Sequence, residues 1–207
     1  MIELYGSPTP NSYTIAIMLE EVGYNYAVFP ISKTHHDQLE LLKFTPNTIF
    51  PVILDCEGPE QKPLAVFESG AILMYLAEKS GKFIPKTYSE RFDVLQWLLF
   101  ENSKIGPTLS NTKHFMYHAP EEIPYALRRF NTETKRVFSI LEKQLSENPF
   151  LASDYSIADI AAFPWVKEYE RYGINADTIP ATCLWLEKLN QRIAISKGLE
   201  ALANLKD

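Results

Sequence analysis

Pro51-Val52-Ile53-Leu54-Asp55, then Leu64-Ala65-Val66-Phe67, then Ser69 through Ser80 with Gly81 behind it: this stretch decides how the first part of the chain folds. The two short apolar runs are joined by the turn-rich Cys56-Glu57-Gly58-Pro59-Glu60, a spacing that predicts an antiparallel hairpin. The third run has helical length and a glycine stop, so it reads as a helix over 69–80. Upstream the pattern alternates. Ile2 to Gly6 reads as a strand and Ser7-Pro8-Thr9-Pro10-Asn11 as a turn. Ser12 to Val22 places Ile15, Met18, Leu19 and Val22 at helical spacing before Gly23. Tyr26 to Ile31 gives a second strand, and Gln38 to Phe44 a short, weakly periodic helix.

The resulting order, β-α-β-α-β-β-α on one mixed sheet, is the layout of a thioredoxin-like domain, assigned to residues 1–81. Residues 82–88 have no period, contain Pro85 and read as a linker. From Ser89 strand signals vanish, so 89–207 is expected to be all-helical. The fold class is therefore α/β plus all-α, with a C-terminal helical bundle. The first helix of that region should run toward Tyr117 and kink or break at Gly106-Pro107, where proline removes a donor and crowds the carbonyl of Ser103. The next, about Pro124 to Ser146, puts Leu127, Phe130, Val137, Leu141 and Leu145 on one core-facing stripe. Tyr155-Ser156-Ile157-Ala158-Asp159-Ile160 has the spacing of a capping box with a hydrophobic staple.

Composition narrows the ligand. With 207 residues, 46% of them hydrophobic, the chain can bury a sizeable core. A formal net charge of −6 argues against nucleic acid or an anionic membrane, both of which call for clustered Lys and Arg, and favours a small molecule. The opening Met1-Ile2-Glu3-Leu4-Tyr5 has no signal-peptide character, and no stretch approaches the ~20 apolar residues of a membrane span, so a cytoplasmic location is expected. The two cysteines, Cys56 and Cys183, lie far apart in neither a redox nor a zinc spacing. Any thiol chemistry must then borrow its sulfur from a ligand. His35-His36-Asp37 reads as a solvated loop rather than a metal site, because adjacent histidines rarely converge on one ion, and no metal is expected.

Two helix starts in the first domain are candidate anion sites, since amides and the helix dipole there favour negative charge. In Ser7-Pro8-Thr9-Pro10-Asn11-Ser12 two prolines stiffen the bend and fix the Thr9 hydroxyl and the Asn11 amide near the first helix, where a thiolate can sit. The plainer reading makes Asn11 or Ser12 a helix cap. At Phe67-Glu68-Ser69-Gly70, Ser69 and the following amides suit a carboxylate while the acid of Glu68 suits an amino group; together they match an α-amino acid head, though Ser69 is also an ordinary N-cap candidate. Between them, a cis Phe50-Pro51 bond would turn the Phe50 backbone outward toward an extended peptide. Tyr5, a conceivable thiol donor, is expected in the core, and Ser12 is a rival hydroxyl donor.

These motifs resemble the cytosolic glutathione transferases. The likeness rests on Ser7-Pro8-Thr9-Pro10-Asn11, Thr45-Pro46-Asn47 followed by Pro51, Phe67-Glu68-Ser69-Gly70-Ala71-Ile72 and Tyr155-Ser156-Ile157-Ala158-Asp159-Ile160, and is strongest to the bacterial nu class. Leu95-Gln96-Trp97-Leu98, Gly106-Pro107, His114-Phe115, His118-Ala119-Pro120 and Ile123-Pro124-Tyr125-Ala126 extend it over nearly the whole chain. The resemblance implies glutathione as co-substrate, with Thr9 and Asn11 as the catalytic donors to its sulfur. It also implies that Phe50, before cis Pro51, holds the cysteinyl backbone, that Glu68 and Ser69 hold the γ-glutamyl end, and that His36 takes the place of a ligand-touching glutamine. Arg136 falls where relatives reach across a homodimer interface; its plain alternative is a solvated surface charge. The implied activity is thiol-disulfide exchange, with peroxide reduction beside it; conjugation to small electrophiles is the second reading. Ser12 for a usual glycine, Ile49 for a usual lysine and His36 motivate a third, a non-catalytic regulator that keeps the fold.

Overall fold

The computed structural model describes residues 1–32, 35–203 and 205, with the side chains of His35, His36 and Gln38 outside that description. It divides into two compact units: Met1–Ile84 with Asn190–Asp207, and Pro85–Leu189.

The first unit begins with strand β1 (Ile2–Gly6), helix α1 (Pro10–Val22), strand β2 (Tyr26–Pro30) and helix α2 (His35–Leu41). Strand β3 (Val52–Asp55), a short 3-10 turn at Pro59–Gln61, strand β4 (Leu64–Phe67) and helix α3 (Ser69–Ser80) follow. The described strands form one sheet in the order β2-β1-β3-β4, with β1 parallel to β2 and antiparallel to β3, and β3 antiparallel to β4. The expected hairpin and mixed sheet are present. Helix α1 starts at Pro10 rather than Ser12, because proline at the first helical position lacks only an amide that would have no intrahelical partner. Helix α2 spans His35–Leu41 rather than 38–44; the Asp37 carboxylate accepts from the Ser32 amide at 2.9 Å and its hydroxyl at 2.6 Å, which anchors the earlier start.

Ile15, Ala16, Ile17, Met18 and Leu19 are all fully buried, so α1 is covered on more than its sheet-facing side. Helix α3 packs on it, and so does the last helix of the chain, α9 (Ile193–Ala203). Gly198 makes the second approach possible: a Cβ there would lie 2.6 Å from the Ile17 backbone N and Cα. Arg192 then closes a two-bond pair on Glu21 at 2.6 and 2.8 Å. The helical region read from the sequence as 89–207 therefore ends, in space, at Leu189.

The second unit holds α4 (Tyr88–Phe100), α5 (Gly106–Tyr117), α6 (Pro124–Glu147), α7 (Ile157–Val166) and α8 (Pro180–Asn190, whose last residue is grouped with the first unit). The break expected at Gly106-Pro107 takes the form of one π turn, Glu101–Ile105, between α4 and α5. The Gly106 amide donates to the carbonyl of Glu101, five residues back, and this widening relieves the proline ring's conflict with the preceding turn. On α6, Val137, Leu141 and Leu145 are buried as expected with Phe138, whereas Leu127 is half-buried and Phe130 stacks on Phe115 at 5.3 Å. All of α7 is buried. Its capping box is formed: Ser156 accepts from the Ala158 amide and Asp159 from the Ser156 amide.

Candidate functional site

Register brings the candidate loops to one end of the sheet. Tyr5 pairs with Val52, and Val52 with Phe67, so the chain leaving β1, the chain entering β3 and the chain leaving β4 stand side by side at the ~4.8 Å spacing of paired strands. That end carries Thr9 and Asn11, Phe50-Pro51, and Glu68-Ser69. The Ile31 amide donating to the Gly6 carbonyl at 2.9 Å directs the segment after β2 out of the same end. His36 belongs to that segment, within α2, but its side chain lies outside the described residues.

Thr9 is the N-cap residue of α1, in extended conformation (φ −124°, ψ 154°), yet its side chain does not cap. The carbonyl of Thr9 accepts from Tyr13 at 2.9 Å and its hydroxyl donates to the Ser12 hydroxyl at 3.1 Å. Asn11 and Ser12 lie inside the first helical turn, which removes the reading of either as the cap. Asn11 is half-buried; Ser12 is fully buried. The rival hydroxyl thus has no surface from which to reach a ligand in this conformation. No acidic side chain occupies the first turn of α1, so the dipole end there is not offset by an adjacent acid.

Glu68 holds an unusual backbone. Its φ of 68° and ψ of 120° lie where L-residues are strained at ~1–3 kcal/mol, and its side chain, although at the N-cap position of α3, caps nothing. Ser69 is the first helical residue, not the cap, and is buried. Glu68 is thus an exposed acid at the N-cap position of α3 in a positive-φ conformation that local sequence pattern does not signal. The Phe50-Pro51 bond is cis. Phe50 packs half-buried against Ile31, Leu41 and Val52, with Tyr5 and Phe44 in the same cluster.

Tyr5 lies in the aromatic cluster as expected. Its ring stacks on Phe29 at 5.0 Å and its hydroxyl donates to Glu3 at 2.6 Å; burial, with the Glu3 carboxylate beside it, holds that hydroxyl well above the ordinary phenol range. In this conformation its proton is given to Glu3 and not to a ligand. Cys56 follows β3 at the opposite end of the sheet, where Asp55 pairs with Ile2. Cys183 sits on α8, and burial pushes its thiol up, away from the reactive thiolate. Both thiols are unbridged. Among the described residues no three His, Cys, Asp or Glu side chains gather as metal ligands.

Arg136 lies on α6, in the second unit, where its guanidinium closes on Glu133 of the same helix at 2.9 and 3.0 Å. That i,i+3 pairing of exposed charges is a solvated one, of small energetic weight.

Two family models match the chain: the N-terminal domain of glutathione S-transferase over residues 1–78 and its C-terminal domain over 106–192. Among relatives, the disulfide-bond oxidoreductase YfcG of Escherichia coli is 41% identical over 205 residues, covering 96% of this chain and 94% of that protein. The disulfide-bond oxidoreductase YghU of the same organism is 33% identical, covering 95% and 73%. Among solved structures, a glutathione transferase of Pseudomonas putida with one glutathione disulfide bound per subunit superposes with a TM-score of 0.91 at 38% identity, covering 96% of this chain and 90% of that one. One from Pseudomonas fluorescens with two glutathione molecules bound gives 0.90 at 39%, covering 96% and 92%. With both domain models matched in order, and a relative this similar over nearly its full length, the chain belongs to the glutathione transferase family.

Proposed function

We propose that this protein binds glutathione at the end of the sheet described above and uses the thiolate of that glutathione to reduce disulfides. One observation carries the reading: the bend leaving β1 offers the neutral groups of Thr9 and Asn11 at a helix start, at the end of the sheet opposite Cys56. The nucleophilic sulfur is then the ligand's. A thiol with a pKa near 8.5 is only a few per cent ionised at neutral pH, and lowering that by ~1–2 makes the thiolate a large fraction, worth roughly 1.4–2.7 kcal/mol. Hydrogen bonds from Thr9 and Asn11 together with the dipole of α1 act on that scale. Phe50 holds the cysteinyl backbone, Ser69 with the amides of α3 the γ-glutamyl carboxylate, and Glu68 its ammonium group; His36, whose side chain lies outside the described residues, keeps the ligand-touching role that the resemblance implies. The relatives named as disulfide-bond oxidoreductases, and the structures holding glutathione or its disulfide, support the ligand and the reaction type.

The thiolate of glutathione attacks one sulfur of the substrate disulfide, forming a mixed disulfide and expelling the other sulfur as a thiolate, which takes up a proton. A second glutathione thiolate attacks the glutathione sulfur of the mixed disulfide, giving glutathione disulfide and the second free thiol. Two glutathiones are oxidised and one disulfide is reduced to two thiols. A hydroperoxide takes the place of the disulfide as oxidant: the first thiolate attacks its terminal oxygen, forming the sulfenic acid of glutathione and expelling an alkoxide that is protonated to the alcohol, and the second glutathione thiolate then displaces water from that sulfenic acid to give glutathione disulfide. Substrate assays with product analysis test this: glutathione disulfide formed from a model disulfide supports it, whereas a thioether adduct with an electrophile as the main product replaces it with conjugation, and absence of glutathione binding by calorimetry replaces it with a regulatory role. Asn11→Ala is expected to lower turnover at neutral pH roughly 3–10-fold, the loss of one of the donors that keep the bound sulfur ionised, with glutathione affinity nearly kept; unchanged turnover would remove Asn11 from the mechanism.

The working form is a homodimer in the cytoplasm. Tyr88, Phe92 and Leu99 expose apolar surface on one side of α4, a face suited to burial against a second copy. Two unbridged thiols suit a reducing compartment. Arg136 reaches the partner's glutathione in that dimer, exchanging Glu133 for the ligand. If Arg136→Ala leaves glutathione affinity intact, the cross-subunit contact is wrong.

A further inference from the structure

We infer that Ser12 is a positioning residue for the sulfur-binding hydroxyl: it holds Thr9 in place and, when an anionic sulfur is bound, supplies Thr9 with the hydrogen bond that lets Thr9 donate its own proton to that sulfur. The inference rests on the reading of Thr9 as a sulfur donor.

Ser12 is fully buried, and its hydroxyl oxygen lies 3.1 Å from that of Thr9. Its position is fixed on two sides. Pro10 starts the helix and sets its first turn. On the other side, the Ser12 hydroxyl would lie 3.0 Å from a Cβ built on Gly6, tighter than an ordinary van der Waals contact, so the glycine ending β1 lets the serine sit there undisplaced. The site is thus shaped around this hydroxyl. Thr9 uses its side chain for nothing in the helix cap, and its rotamer is held instead by Ser12.

A hydroxyl carries one proton and two lone pairs, so the Thr9–Ser12 pair can be connected in either direction. In the present structure Thr9 donates and Ser12 accepts. An anionic sulfur beside Thr9 has no proton to give and draws the Thr9 proton toward itself; rotation of the Ser12 hydroxyl then lets Ser12 donate to the Thr9 lone pair that now faces it. The result is a two-step chain from Ser12 to Thr9 to the sulfur, in which each bond polarises the next. A protonated thiol makes no comparable demand. The pair therefore favours the thiolate over the thiol and lowers the thiol pKa of bound glutathione without Ser12 touching the ligand.

The test is the pKa of the enzyme-bound thiol, read from the ultraviolet absorbance of the thiolate across pH, in wild type, Ser12→Ala, Thr9→Val and the double variant. Losing one bond of a charged chain is expected to raise that pKa by about 0.5–1 in Ser12→Ala. The value of kcat/KM below the wild-type thiol pKa should fall ~3–10-fold, with glutathione affinity at low pH within about twofold. In the Thr9→Val background Ser12→Ala should do nothing further, because Ser12 has no other route to the sulfur. Ser12→Gly, which removes the same hydroxyl, must reproduce the shift, which keeps the test available if the alanine variant folds poorly. An unchanged thiol pKa in both Ser12 variants, or an effect that persists undiminished without the Thr9 hydroxyl, overturns the inference. If Thr9→Val itself leaves the pKa unchanged while glutathione still binds, the assignment of Thr9 fails, and the role of Ser12 fails with it.

Discussion

Four helix starts, two in each unit, show the same electrostatics put to opposite uses. In the second unit α7 and α8 are closed by the protein's own carboxylates. Asp159 is fully buried and accepts from the amides of Leu151 and Ser156, the Ser156 hydroxyl and the Trp185 indole. Glu142, on α6, accepts from the amides of Ala181 and Thr182 and from the Thr182 hydroxyl, all within 2.9 Å. In the first unit α1 and α3 have no side-chain cap and no acid in the first turn. A carboxylate of the chain bonded to these amides fixes a fold; a helix start that no side chain caps, even with Glu68 at the N-cap of α3, suits a ligand anion. The contrast separates helix ends that stabilise from helix ends that bind.

The comparison breaks first, if it is wrong, at Asp159. Asp159→Ala leaves buried amide and indole donors without an acceptor, at ~1–3 kcal/mol each, so a loss of more than about 3 kcal/mol by urea unfolding is expected. A smaller loss would mean that the closed ends do not carry the stability assigned to them.

Next in size is a pH effect at the π turn. Glu101 is buried with Asn102 donating to it at 2.8 Å, and desolvation raises its carboxyl to about 8. The folded state thus binds this proton more tightly than the unfolded one, whose carboxyl titrates near 4.5. The contribution is full below about 4.5 and declines as pH rises through about 8, so stability falls with increasing pH over that window. Glu101→Gln keeps the shape of the neutral acid; its melting temperature should fall less between these limits than that of the wild type. An identical slope would show that the Glu101 carboxyl is already ionised across this window in the folded state.

The smallest effect sharpens the other side. Glu68→Gly removes the positive-φ strain at the start of α3 and should raise stability by ~0.5–1 kcal/mol in thermal or urea unfolding, while losing the carboxylate weakens glutathione binding several-fold. Gain of stability with loss of affinity is the expected pairing. Loss of both would mean that Glu68 serves the fold.

Much of this is legible in the residues themselves. The hairpin from Pro51 to Phe67, α3 closed by Gly81 and the Ser156–Asp159 box follow from turn chemistry, capping and periodicity, which act over a few residues. The early start of α2 was not, because the Ser32–Asp37 bond competes with a weak hydrophobic period. The break at Pro107 was legible as a break, but its form as a π turn depends on where Glu101 can be buried. In the site, Thr9, Asn11, Glu68 and Ser69 stand out as helix-start residues, with an ordinary capping role open to Asn11, Ser12 and Ser69, whereas the N-cap positions fall to Thr9 and Glu68. Geometry removed Asn11, Ser12 and Ser69 from that role and buried Ser12.

The sequence by itself determined the element order, the candidate donors and the lack of a local cysteine pair, since these depend on residue types at short spacing. Tertiary structure alone decided three things: that α9 belongs with α1, through the missing side chain of Gly198; that Ser12 is sealed against Gly6; and that Tyr5, Val52 and Phe67 share one register, setting three distant loops side by side. Each joins residues far apart in the chain, and their proximity is fixed by packing and strand pairing, which no local pattern encodes.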